Sequence, residues 1–335
     1  MARRMSKTTK LQPAELKIAI NVKNTGTNYL DISQVASIVN RRFYRQGLNW
    51  AVSHFTFYKT TPTETGAEVV SVAKLPTSWV MSNAWEKGFR AWQKMISESL
   101  DDTDQQSLKG KFLDFKIYAD ETHFSNGFTS NLLPTDIEDN GVTPGEWIPS
   151  KISVPITAPA GSALFGSTRE NEIMALGVNY GASGTEQLVS LINGYANSRG
   201  LPMPSDPNTP ADADDASGGS AENWLAAMFN DGTNQTSDVI EEVTAYDQPP
   251  YPFEGDGINI DTMYPGGQTQ LPAMRVVGAS YFNAGTNANK VTIEGDSFPC
   301  GLVQIQNGTS ASLSMIVHLV PGMHRGYLAE PMTDM

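Results

Sequence analysis

The sequence predicts an all-β sandwich carrying two inserted helices and long surface loops, and three observations carry that prediction. Short runs of alternating apolar and polar residues recur from Leu16 to Pro321, the period of strands with one covered face. Two stretches change to a three-and-four-residue period, which gathers their apolar side chains on one side of a helix. Segments rich in Pro, Gly, Asp and Ser separate these elements, and no alternation of strand and helix of the βα kind runs through the chain.

The first strand is expected at 16–23, LKIAINVK, where Leu16, Ile18, Ile20 and Val22 alternate with polar or small residues. RRFYRQG at 41–47 follows, then WAVSHFTFYKT at 50–60. In the latter Val52, His54, Thr56 and Tyr58 point one way and Ala51, Ser53, Phe55 and Phe57 the other, and both faces read as largely covered. Glu68 to Ala73 adds a short β-branched run. From Pro76 to Leu100 the period is helical: Met81, Trp85, Phe89, Trp92 and Ile96 share a face, Ser82 stands where a cap is needed, and the acids at 101–104 follow the end. An aromatic stripe of this kind is read as packing on a sheet rather than as a ligand box. Strand character returns at 111–119, KFLDFKIYA, and at 151–157, KISVPIT, with a loop-like stretch between them. A second helix is expected at 185–198, where Leu188, Leu191, Ile192 and Tyr195 form the stripe and Gly200 the stop. The last third reads as strands at 273–282, 290–295, 300–307 and 312–321.

The length of 335 residues, 39% of them hydrophobic, suffices for one large β domain or two small ones. Cys300 is the only cysteine, which excludes an internal disulfide framework and any zinc site of several thiolates. No run of about eighteen apolar residues occurs and MARRMSKTTK has no apolar stretch behind it, so neither a membrane segment nor a secretory signal is expected.

Charge is distributed unevenly. Residues 1–100 hold 14 of the 23 Lys and Arg and 6 of the 36 acids, a net +8, whereas residues 101–335 carry a net −21. A basic opening on an acidic body suits a shell with polyanion inside and water outside; the plainer reading is a solvated acidic surface with a basic tail. Residues 1–12 form a short basic arm, 13–335 the folded domain, and an acidic, loop-rich insertion without Lys or Arg occupies about 200–270.

Sites for chemistry are sparse. His54, His123, His318 and His324 fit no ligand spacing, and there is no GxSxG elbow, P-loop or GxGxxG after a strand, so a non-enzymatic protein is expected. Asp212, Asp214 and Asp215, and Asp256, Asn259 and Asp261, have the oxygens for a calcium ion but not the EF-hand spacing; solvated loops are the alternative. No other cofactor is expected. The basic elements say more. Arg3, Arg4, Lys7 and Lys10 form the arm, while Arg41, Arg42 and Arg45 interleave with Phe43 and Tyr44, a mixture that serves single-stranded nucleic acid through phosphate contacts and base stacking. The alternative for RRFYR is a turn whose arginines pair with the acidic body and whose aromatics fill core.

The order of motifs resembles that of capsid proteins of environmental circular Rep-encoding single-stranded DNA viruses, the smacovirus-like group. It is carried by VNRRFYRQGLNWAV at 39–52, TSWVMSNAWEKGFRAWQKM at 77–95, KFLDFKIYAD at 111–120, GEWIPSKI at 145–152, PPYPFEGDG followed by YPGG at 264–267, FPCGLVQI at 298–305 and the ending VPGMHRGYLAEPMTDM. The resemblance implies a single eight-stranded jelly roll, a homo-oligomeric icosahedral shell and a place in the virion around a single-stranded genome; it identifies no host-cell receptor. The very short arm and acidic pI near 4.7 depart from that pattern and point the internal positive surface toward Arg41, Arg42 and Arg45. Two other readings remain: a double jelly-roll coat protein of a membrane-containing phage, and a carbohydrate-binding or hydrolytic β-sandwich with Trp147 and Trp224, beside Asp and Glu neighbours, as its contact residues.

Overall fold

The computed structural model describes residues 12–22, 25–59, 67–102, 113–135, 142–155, 168–182, 185–199, 274–283 and 290–335. Met1–Tyr195 and Tyr264–Met335 form one compact unit, to which all the described strands belong, and Ala196–Met263 another. The basic arm, the acidic insertion and both calcium candidates lie outside the described residues.

In chain order the elements are β1 (Lys17–Val22), β2 (Gly26–Asp31), α1 (Ile32–Asn40), β3 (Leu48–Lys59), β4 (Ala67–Lys74), α2 (Trp79–Asp102), α3 (Glu121–Asn126), β5 (Lys151–Pro155), β6 (Thr168–Met174), β7 (Tyr180–Ala182), β8 (Thr185–Ser190) and α4 (Leu191–Arg199). They continue with β9 (Arg275–Asn283), β10 (Lys290–Glu294), β11 (Ser297–Phe298), β12 (Leu302–Asn307), β13 (Leu313–Leu319), β14 (Pro321–Gly322), β15 (Gly326–Tyr327) and β16 (Ala329–Pro331). Strands account for 44% and helices for 27% of the described residues, so what is described is β-rich rather than purely β.

Two antiparallel sheets hold the core. One runs β1-β13-β3-β10, with β11 and β16 also paired to β3; the other runs β2-β12-β4-β9. When these eight principal strands alone are counted along the chain, the orders are 1-8-3-6 and 2-7-4-5. The first principal strand thus lies beside the last, Ile18 opposite Val317 and Ile20 opposite Met315. A third sheet, β5-β6-β8-β7, contains the parallel pair β6 and β8. Among the described residues no helix is long and apolar enough to cross a membrane.

The alternation read in the sequence fills this core: Ile18, Ile20 and Val22 of β1, Val70 and Val72 of β4, Val303 and Ile305 of β12, and Met315 and Val317 of β13 are all buried in one cluster. Each such side chain removed from water contributes about 1.5–3 kcal/mol. At opposite ends of β4, a lysine is buried against an acid of the other sheet. Lys59 at the end of β3 pairs with Glu68, and Lys74 at the end of β4 pairs at 2.7 Å with Asp296, which follows β10. Both lysines are nearly inaccessible, at 4% and 2% exposure, which is tolerated only because each meets a carboxylate.

Several expectations needed correction. β3 is covered on both faces only in part: Asn49 and Thr56 are buried opposite the apolar side chains, but Ser53 and Tyr58 are exposed, and the apolar face changes phase. Leu48, Trp50 and Val52 point inward, then Phe55, Phe57 and Lys59, because the pairing with β13 slips between His318 and Leu319, a bulge that displaces the alternation by one residue. Segment 113–119 is extended but joins a ladder only through the Tyr118–Met174 bridge. Its amides are satisfied instead by Ser150 Oγ, Gln46 Oε1 and the Ile173 carbonyl. The expected helix at 185–198 is half strand: Leu188 is buried in β8, and only Leu191, Ile192 and Tyr195 lie on a helix. α2 starts at Trp79, before Ser82, and Ser78 Oγ accepts from Met81 N while Ser82 Oγ donates to the Trp79 carbonyl. Of its stripe, Trp85, Phe89 and Trp92 pack around Phe115 of the extended segment 113–119, rather than on a sheet strand, at ring separations of 5.4–5.9 Å.

Candidate nucleic-acid interface

RRFYR is positioned by α1, which the alternation of the flanking strands obscured. Asp31 opens that helix, its carboxylate accepting from Ser33 N and Gln34 N, and Arg41 closes it in the left-handed conformation with φ 53°. Asp31, Ile32, Val35 and Val39 at helical spacing were the signal available in the sequence.

Beyond Arg41 the chain turns inward. Tyr44 is fully buried, its ring against Trp50 and Tyr327 at 5.6 and 5.5 Å, and its hydroxyl donates to the Arg325 carbonyl. It has no face to offer a base. Arg42 donates to the Pro13 carbonyl, and Arg45 donates to the Leu113 carbonyl while lying 3.5 Å from Asp114. Phe43 is half-buried, tilted against Trp147 at 6.2 Å, and Arg325 donates to its carbonyl. Arg41 is exposed and has no partner among the described residues. The turn therefore commits its aromatics and two of its three arginines to the fold, leaving Arg41 as the one with its charge uncommitted.

Beneath this turn lies a buried polar network. Asp31 Oδ2 accepts from Gln46 Nε2 and Trp147 Nε1, both at 2.9 Å. Burial pushes this carboxyl up to about 7 against the pull of those four N–H donors. Asp114 is likewise raised by burial, opposed by Lys116 and Arg45. Cys300 is buried, and burial together with Asp31 drives its thiol well above the ordinary value. Trp147, weighed above as a carbohydrate contact, spends its indole N–H on this network; Trp224 lies outside the described residues.

A neighbouring polar cavity of about 230 Å³ is lined by Thr27, Asn28, Tyr29, His123, Asn126 and Asn131 among others. His123 stacks on Tyr29 at 4.4 Å, its Nδ1 accepts from Ala119 N and its Nε2 lies 2.8 Å from Asn131 Oδ1. Burial lowers it to about 4, so at neutral pH it is an uncharged structural ring. Among the described residues no group of three or more His, Cys, Asp or Glu is arranged to hold a metal ion. No family model, curated protein or solved structure matches the chain.

Proposed function

We propose that this chain is a non-enzymatic coat subunit with a jelly-roll fold, which assembles with copies of itself into a closed shell around single-stranded nucleic acid in a virion. The observation that carries this reading is the strand order. The principal strands interleave as 1-8-3-6 and 2-7-4-5, the arrangement that results when a long antiparallel hairpin of four strand pairs is rolled into two facing sheets, the double Greek key of viral coat and lectin domains. The polarity of charge along the chain adds to it, since a net +8 over the first hundred residues and −21 over the rest suits a particle with polyanion on one side.

The other two readings have less behind them. A double jelly roll requires a second pair of interleaved sheets, whereas the remaining four-stranded sheet among the described residues has the order β5-β6-β8-β7 with a parallel pair. A carbohydrate site requires exposed aromatics beside free carboxylates, whereas Trp147 is turned into the interior network. Expression of the full chain followed by electron microscopy tests the proposal: closed particles of uniform size are expected, and monomers in every buffer would refute it.

A further inference from the structure

We infer that the outward face of the β1-β13-β3-β10 sheet is an acid-strengthened platform for single-stranded nucleic acid, on which Lys17, Lys290 and a stacked His54–His318 pair meet phosphates and Tyr58 meets a base. The inference rests on the packaging function proposed above and names the surface that performs it.

Registers across the four strands set outward side chains in rows. One row reads Lys17, His318, His54, Glu294 and another Asn21, Ser314, Tyr58, Lys290, while the row between them is uncharged. The imidazoles of His54 and His318 are stacked, centroids 3.8 Å apart and planes 19° apart, and Thr56 Oγ1 lies 3.4 Å from His318 Nε2. Lys290 stands 5.9 Å from the Tyr58 ring centroid, and Tyr58 is 36% exposed. With strands about 4.8 Å apart, a row spans roughly 14 Å, room for two or three nucleotides. Cations beside an exposed aromatic ring are what sequence-tolerant recognition of single strands uses.

Charge selects the occupant. Among the described residues, the two charged rows carry Lys17 and Lys290 against Glu294, while the other acid on this side, Glu330 of β16, lies beyond the bulge of β3 and accepts from Asn49; two copies placed row to row would set like charges together, whereas a polyanion is attracted. The equivalent row on the other principal sheet, Thr27, Gln306, Ser71, Ala279, has no charge at all.

Acid strengthens the platform by linkage. Burial, then His54, Lys17 and Lys290, lower His318 below the ordinary imidazole value, and Glu294 opposite His54 is the one carboxylate facing the pair from the paired strands. A phosphate on this face replaces repulsion with attraction and favours the protonated ring. Binding therefore takes up a proton and tightens as pH falls through the imidazole range.

The test is fluorescence anisotropy of a labelled oligo(dT) with the full chain, from about pH 8 to about pH 5.5 over a range of salt concentrations. Wild type is expected to bind about tenfold tighter at the acid end, and the His54→Gln/His318→Gln double variant to lose that gain. Lys17→Gln with Lys290→Gln, both at exposed positions, should reduce the slope of log affinity against log salt by about 0.7 per lysine, and Tyr58→Ser should weaken binding about tenfold. The inference is overturned if wild type does not bind, if the variants bind with unchanged pH and salt dependence, or if they change the oligomeric mass instead, which would make the face a contact between copies. Electron microscopy of the same preparations separates the two readings. Wild-type shells whose nucleic-acid content ignores these variants would overturn the platform and leave the coat subunit standing; binding without any shells would do the reverse.

Discussion

Removing the Asp296 carboxylate should destabilise the sandwich far more than removing the lysine it pairs with. The Lys74 ammonium is 2% exposed and its ion pair is Asp296 at 2.7 Å, bridging the end of β4 to the turn after β10 on the opposite sheet. Asp296→Asn leaves a buried cation without an anion, for which about 3–5 kcal/mol is typical; the half-exposed position of Asp296 admits water and places the expected loss near 3 kcal/mol. Lys74→Met keeps the volume and strands only a carboxylate that can hydrate, so its cost should stay under about 1.5 kcal/mol. The pH dependence follows with its sign. Burial raises the Asp296 carboxyl, but the Lys74 ammonium and the Ser297 N–H outweigh it and hold the group below the ordinary 3.8. Its contribution is therefore fully present above that value and is lost as pH falls through the lower folded-state value. Urea unfolding at neutral pH and at about pH 3, for wild type and both variants, measures this. If Lys74→Met proves as damaging as Asp296→Asn, the pair is not a compensated buried cation and the reasoning is wrong.

Three further outcomes are expected. Asp31, raised from 3.8 to about 7, makes the folded state hold a proton that the unfolded chain releases; stability should fall as pH rises from about 4 to 7, by up to about 4 kcal/mol, and Asp31→Asn should flatten that slope in urea titrations, an unchanged slope counting against the assignment. Tyr44→Ala should cost about 3–5 kcal/mol by emptying the space between Trp50 and Tyr327, whereas Arg41→Gly should be neutral or stabilising by about 0.5–1 kcal/mol because φ 53° suits glycine; thermal melts that rank them the other way would refute the division of this turn into core and surface. Gly295→Ala would set a Cβ 2.0 Å from the Val52 carbonyl oxygen, and the pairing of β10 and β11 with β3 should loosen, seen as faster amide exchange in β10; exchange rates unchanged from wild type would contradict the close approach.

What the sequence disclosed depended on how local the physics was. β1 and β13 announce themselves through alternation, because each buries one face along its whole length. β3 defeats the same rule at Ser53 and His54, where a bulge imposed by its partner shifts the phase. Residues 185–199 have one apolar stripe that serves first a strand and then a helix, and only the parallel pairing with β6 decides where one ends. Strand order was hidden altogether, since β1 pairs with a strand almost three hundred residues away. The candidate site follows the same division. RRFYR stood out by composition, yet Tyr44 is claimed by Tyr327 and Arg45 by Leu113 and Asp114, neighbours that no window around residue 44 contains. His54 and His318 read separately as histidines within strands; that they stack, with Lys17 in the same row, is a product of register.

In the proposed coat subunit, these interleaved sheets form the wall of a nucleic-acid container. Sedimentation of the purified full chain before and after nuclease treatment measures it directly. A fast, uniform boundary with absorbance ratios of a nucleoprotein that survives nuclease is the predicted result. A slow boundary at the mass of one chain, or a particle whose nucleic acid is wholly digested, would contradict it.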